Sequence, residues 1–148
     1  MSVTGIPTGL KFVSCDDKGR ISIPSLFREG IPENALIITK GLKHCLWLYP
    51  VEGWSIFSSQ MESKIEPLSL RERDYMRHRF IIPAQELEID KLGRVAVPQS
   101  LRDFAGLNKE CVVASNGDRM EIWDGQAYND YQAEIEENLE GVVEEIRL

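Results

Sequence analysis

The sequence predicts an α+β fold assembled from two copies of one ββαββα unit. Three observations lead there. First, Asp16-Asp17-Lys18-Gly19-Arg20-Ile21-Ser22-Ile23-Pro24 returns as Asp90-Lys91-Leu92-Gly93-Arg94-Val95-Ala96-Val97-Pro98, at a constant offset of 74 residues. Second, the match continues downstream: Phe27-Arg28 against Leu101-Arg102, Asn34 against Asn108, and Leu46 and Leu48 against Met120 and Ile122. Third, each copy passes from apolar alternation, the period of a half-buried strand, to apolar spacings of three and four, the period of a helix. Solenoid repeats run about 20–50 residues, so a 74-residue offset indicates a duplicated small domain. At 148 residues the chain has the length of one domain, and half of it alone is marginal for a core. The chain therefore divides into a first copy with a basic linker helix (1–80) and a second copy with a long amphipathic helix (81–148). The two copies are expected to share one core, as an intramolecular pseudo-dimer.

The elements follow in order. Residues 10–15 read as a short strand. Asp16-Asp17-Lys18-Gly19 reads as a turn in which Gly19 takes positive φ and Asp16 bonds the turn backbone. Ile21 and Ile23 alternate with Arg20 and Ser22, giving a second strand. Pro24 stops it and opens a short helix over 25–29. Residues 36–39 and 46–49 are apolar strands, and the loop between them carries Lys40 and Lys43. Pro50 opens a helix that places Trp54, Phe57, Met61 and Ile65 on one face. A basic helix with Arg71, Arg73, Arg77 and Arg79 is predicted over 69–80. The order then restarts, with a strand ending at Ile89, the second turn, a strand over 94–97, Pro98 and a short helix to Phe104. Strands over 111–114 and 120–123 flank Asn116-Gly117, a hairpin-turn dipeptide. Asp124 reads as the N-cap of a long helix with Tyr128, Tyr131, Ile135, Leu139, Val142 and Ile146 along one stripe. Trp47, Trp54 and Trp123 fall inside apolar patterns and are expected in the core.

Composition narrows the function classes. Net charge is −7, yet it is uneven: residues 1–80 hold 11 Lys and Arg against 9 Asp and Glu, and residues 81–148 hold 6 against 15. Six of those acids, Glu134, Glu136, Glu137, Glu140, Glu144 and Glu145, lie in the last helix. An acidic total therefore leaves room for a basic face elsewhere. No apolar run approaches the ~18 residues of a membrane span. Residues 1–9 lack the basic region and apolar core of a secretion signal, so a cytoplasmic protein without a membrane partner is expected. Cys15, Cys45 and Cys111 are odd in number and widely spaced, which reads as reduced structural thiols and not as a metal site. The only histidines, His44 and His78, stand near no nucleophile motif, and there is no Gly-rich phosphate loop. An enzyme, a cofactor and a small-molecule substrate are accordingly not expected.

The chemistry sits in the repeated motif Asp-x-x-Gly-Arg, alternating apolar residues, then Pro. One reading is structural: the turn pins strand register, with Asp16 pairing Arg20 and Asp90 pairing Arg94. The other is recognition: Arg20 and Arg94 project toward phosphate oxygens or base edges. Lys18 and Arg28 would thicken the first patch, and Lys91 and Arg102 the second. On half-chain charge, Arg20 is expected to matter more than Arg94.

These motifs, with Leu46-Trp47-Leu48-Tyr49-Pro50, Trp54, Leu101-Arg102-Asp103-Phe104-Ala105-Gly106-Leu107 and Glu121-Ile122-Trp123, resemble the MraZ family. That family is a two-copy member of the AbrB-like swapped-hairpin superfamily. The resemblance implies a swapped-hairpin β-barrel with peripheral helices. It implies a sequence-specific, nucleoid-associated transcriptional regulator of the division and cell-wall gene cluster. Such a regulator binds direct repeats in double-stranded DNA, usually as a repressor, and assembles as a ring of identical subunits. The family's Asp-x-x-x-Arg pattern falls on Asp16 and Arg20 and on Asp90 and Arg94, with Gly19, Pro24, Gly93 and Pro98 as its structural members. An antitoxin or protein-interaction module on the same barrel is the alternative. For the acidic last helix a solvated face stands against a partner contact, and for Arg71, Arg73, Arg77 and Arg79 of the linker helix a solvated or intersubunit helix stands against DNA contact.

Overall fold

The computed structural model describes residues 5–148, so part of the N-terminal stretch read for a secretion signal lies outside the described residues. The first copy holds β1 (Gly9–Ser14), β2 (Arg20–Ser22), α1 (Ser25–Arg28), β3 (Ala35–Lys40), β4 (Leu46–Pro50) and α2 (Val51–Lys64). Helix α3 (Leu70–Met76) links it to the second copy. The second copy holds β5 (Gln85–Glu88), β6 (Arg94–Ala96), α4 (Gln99–Ala105), β7 (Glu110–Ser115), β8 (Met120–Asp124) and α5 (Gly125–Ile146). The expected ββαββα order is present twice.

The strands exchange between copies. Six form one sheet in the order β1-β7-β8-β4-β3-β5, so the first strand of each copy pairs with the third strand of the other. β2 and β6 form a separate antiparallel ribbon. Ile21 pairs with Val95 in the ribbon and Trp47 with Glu121 in the sheet. Each of these pairs joins repeat-equivalent positions, so a pseudo-twofold axis passes through both. Among the described residues the sheet is open, bounded by β1 and β5, where a closed barrel was implied. The ribbon strands are too short to complete the ring of pairings. Pro24 and Pro98 end their runs, and a single bridge, Cys15 to Ile21, ties β2 back toward β1.

Burial shows that the two halves share one core. Alternation along the strands splits their side chains between two faces. Leu36, Ile38, Leu46, Leu48, Cys111, Val113, Met120 and Ile122 point inward and meet Ile21, Val95, Phe27 and Leu101. Trp47, Tyr49, Val112 and Trp123 point the other way. Helix α2 covers that second face with Trp54, Phe57, Met61 and Ile65, as its spacing predicts. Trp47 stacks on Phe80 (5.2 Å, 11°) and Trp123 on Tyr131 (4.9 Å, 14°), so the tryptophans serve packing.

The basic helix expected over 69–80 is present and unbroken, but it changes pitch part-way. Ser69 caps α3 with a capping box to Glu72, and the chain then passes through one π-helical turn, Arg77–Ile81. The wider turn seats Phe80 in the aromatic layer, where its carbonyl accepts from the buried Thr39 hydroxyl (2.7 Å). The two arginines of that turn are engaged rather than merely solvated. Arg77 pairs with Glu62, and Arg79 donates to the carbonyls of Gly41 and Leu42. At 116–119 the expected hairpin is present, with β7 and β8 joined by a four-residue connection. Asn116 Oδ1 accepts from the amides of Asp118 and Arg119, and Gly117 takes φ +105°.

Candidate nucleic-acid interface

The two Asp-x-x-Gly-Arg turns are built alike. Asp16 Oδ1 accepts from the amides of Lys18 (3.0 Å) and Arg20 (2.8 Å), while Oδ2 accepts from Arg20 Nε (2.6 Å). Asp90 repeats the set with Leu92 (2.9 Å), Arg94 (2.9 Å) and Arg94 Nε (3.0 Å). Gly19 and Gly93 close the turns by donating to the carbonyls of Asp16 and Asp90 (2.9 Å each). Their φ angles of +79° and +80° lie in the region that only glycine enters without strain. These bonds favour the ionised carboxylate. The Arg20 amide foremost, and the Arg94 amide in the second turn, hold Asp16 and Asp90 below the usual carboxylate range.

The structural reading of the motif is therefore present in full, and it leaves the arginines available. Each carboxylate takes the Nε edge of its arginine. Because Ile21 and Val95 are buried, their neighbours Arg20, Ser22, Arg94 and Ala96 lie on the outer face of the ribbon. Arg20 pairs across to Ala96 and Ser22 to Arg94, so the two arginines occupy one outer face on either side of the pseudo-twofold axis. Lys18 and Lys91 sit exposed in the turns. Pro24 and Pro98 hold extended backbone immediately before α1 and α4 and close the unit.

Arg28 and Arg102 are placed differently from expectation. Arg28 lies against Gly93, in the second turn, and Arg102 lies against Gly19, in the first. The grouping by sequence copy is corrected by strand exchange, which carries each turn across the axis onto the other copy's short helix. No local signal reveals this, because the partners are far apart in sequence.

Other candidates resolve as structure. Among the described residues the three cysteines are free thiols. Burial pushes Cys45 and Cys111 up to about 12, far from a reactive thiolate. No group of three His, Cys, Asp or Glu side chains suits a metal among the described residues, and no described helix is long and apolar enough to cross a membrane. Asp124 caps α5 through Ala127 N (3.2 Å), and its other oxygen takes the Asn108 amide (3.1 Å). Beyond its first turns α5 runs exposed, with Leu139, Val142 and Ile146 at 44%, 52% and 65% accessibility.

Fold and site together define a duplicated, strand-exchanged α+β protein with two arginine-bearing turns on one pseudo-symmetric ribbon. Comparison with known proteins agrees. The family described as "MraZ protein, putative antitoxin-like" matches residues 8–73 and again 80–146. A protein of Treponema denticola named "Transcriptional regulator MraZ" is 40% identical over 129 residues, covering 87% of this chain and 89% of the relative. A protein of the same name from Natranaerobius thermophilus is 37% identical over 135 residues, covering 90% and 91%. The chain belongs to the MraZ family.

Proposed function

We propose that the protein is a sequence-specific DNA-binding transcriptional regulator whose β2–β6 ribbon faces the duplex. The observation that carries this reading is the pair of Asp-braced arginines on one outer face. A two-stranded β-ribbon fits the major groove, and arginine is the side chain best suited to guanine edges and to phosphate. Each carboxylate fixes the Nε edge of its guanidinium, so the rest of that group is aimed before DNA arrives and less ordering entropy is lost on binding. The names of the relatives support the regulatory role. The finer reading is a repressor of the division and cell-wall gene cluster, acting in the nucleoid on tandem direct repeats. It comprises two copies, 1–80 and 81–148, whose six-stranded sheet and β2–β6 ribbon wrap one shared core in the manner of a swapped-hairpin barrel, and needs no metal, cofactor or catalytic group.

Assembly as a ring of identical subunits belongs to the same reading. One ribbon offers few phosphate contacts, so a single subunit binds weakly. Linked sites gain ~10²–10⁴ in avidity when repeat spacing matches subunit spacing. Exposed apolar residues on α2 (Val51, Ile56) and on distal α5 (Leu139, Val142, Ile146) are the proposed subunit contacts. The same α5 stripe favours a second reading, a protein-interaction or antitoxin module, which predicts a partner on α5 and no need for the ribbon arginines.

The test is titration of DNA from upstream of the protein's own gene, carrying one, two or three repeats, at two salt concentrations. Multi-repeat DNA should bind far more tightly than one repeat. Arg20→Ala should lose at least about tenfold in affinity while keeping native circular dichroism. Normal affinity in a folded Arg20→Ala variant contradicts the ribbon reading. A monomer that binds one repeat as well as three contradicts the assembly.

A further inference from the structure

Each arginine-bearing turn is seated on a guanidinium supplied by the other copy. Arg102, on α4, occupies the space beside Gly19 so closely that a Cβ there would overlap its guanidinium. Arg28, on α1, lies over Gly93, where a Cβ would stand 2.7 Å from Nη1 and 2.8 Å from Cζ. The backbone follows the same exchange: Ile23 N donates to the Gly93 carbonyl (2.8 Å) and Val97 N to the Gly19 carbonyl (2.9 Å). Both glycines are buried although their turns are exposed, because these guanidinia cover them. Glycine is required twice here, for positive φ and for the slot its missing Cβ leaves.

We propose that Arg28 is a positioning residue for Arg94 and Arg102 a positioning residue for Arg20, so that each half of the DNA-reading face is a composite of both copies. This rests on the DNA-binding reading above. The exchange trades one arginine for another, so the charge balance of the two turns is set by their own residues. The first gathers Lys18, Arg20 and Arg102 around Asp16 and Asp17, and the second gathers Lys91, Arg94 and Arg28 around Asp90 alone. The acidic excess of residues 81–148 does not reach the second turn, since much of it lies on α5. The second turn is thus the more basic of the two, and Arg94 contributes at least as much to binding as Arg20. The two positioning arginines are also held unequally. Arg102 Nη2 donates to Gln99 Oε1 (2.5 Å), and Gln99 Nε2 donates to Asp103 Oδ1 (2.7 Å). The first copy has Ser25 and Glu29 at those places, and Arg28 Nε is buried with no hydrogen-bond partner among the described residues. Packing on the Gly93 turn therefore dominates the placement of Arg28.

The experiment is a set of double-mutant cycles on the full chain, read by affinity for the tandem-repeat DNA. Arg28→Ala should weaken binding about 3- to 10-fold, and adding it to Arg94→Ala should cost less than about twofold more. Added to Arg20→Ala, it should multiply the loss. Arg102→Ala should show the mirror pattern, coupled to Arg20 and independent of Arg94. Coupling within a copy, Arg28 with Arg20, overturns the proposal. Hydrogen exchange of the free protein supplies the second measurement. Arg28→Ala should speed exchange at the amides of Leu92 and Arg94 and leave Lys18 and Arg20 unchanged. Equal effects on both turns, or none, overturn the exchanged bracing. If exchange follows the expected pattern while Arg20→Ala and Arg94→Ala both bind normally, the DNA reading falls and the bracing stands. Arg28→Lys and Arg102→Lys keep the charge and lose the planar group. They should resemble the alanine variants, and full rescue by lysine overturns a role for the guanidinium plane.

Discussion

The ribbon end and the outer sheet face of this molecule began from the same repeat and now differ in how alike their two copies are. At the ribbon the copies match in strand register and in the hydrogen bonds of their turns. Ile21 meets Val95 on the axis, and Asp16 and Asp90 make the same three hydrogen bonds. On the outer sheet face they do not match. The first copy lays α2 across the sheet and adds the π-turn that seats Phe80, whereas α5 packs through Ala127, Tyr128 and Tyr131 and then leaves the surface. The difference teaches where pseudo-symmetry is physically enforced. Residues on the axis must fit both copies at once, so a change in one is felt by the other. Helices far from the axis meet only their own surroundings and are free to diverge.

The largest effect should come from removing a side chain in the shared core. Phe27→Ala, at a fully buried site, should destabilise by about 3–5 kcal/mol. Both halves should unfold in one transition, seen by tryptophan fluorescence and far-ultraviolet circular dichroism with coincident midpoints. Separate midpoints would break the shared-core comparison, as would a stable monomer of residues 1–80.

Next comes a pair of Gly→Ala substitutions of opposite sign. Gly19→Ala forces positive φ on alanine and displaces Arg102, at a cost of about 1–3 kcal/mol. Gly141→Ala, inside α5 with open space around it, should instead stabilise by roughly 0.5–1 kcal/mol. Chemical denaturation of both variants checks the contrast, and a neutral Gly19→Ala would count against the slot.

Acid should loosen the ribbon turns selectively. Asp16 and Asp90 have depressed folded-state pKa values, so their stabilisation is complete above the ordinary carboxylate range and lost as pH falls through the depressed values. Stability measured from about pH 6 down to 2 should fall less steeply in an Asp16→Asn/Asp90→Asn variant. An identical slope would remove the carboxylates from the account. The smallest stability change belongs to distal α5. Leu139→Ser should stay within about 0.5 kcal/mol for the isolated subunit. Its effect should appear in light scattering, as a smaller assembly.

Much of this was legible in residues alone. The duplication at 74 residues, the turn chemistry of Asp16–Gly19 and Asp90–Gly93, the tryptophans in the core, the apolar face of α2 and the Asp124 cap are local. Each depends on spacing within a few residues or on two aligned stretches. What only the tertiary structure decided is non-local: the crossing of β1 and β5 to the opposite copy, the open sheet beside its ribbon, the π-turn that spends Arg79 on the carbonyls of Gly41 and Leu42, and the assignment of Arg28 to the Gly93 turn and Arg102 to the Gly19 turn. Two equivalent strands offer the same apolar alternation to either partner, so pattern alone cannot choose between pairing within a copy and pairing across copies. That choice is made when both copies bury one core together, and it carries the arginines with it.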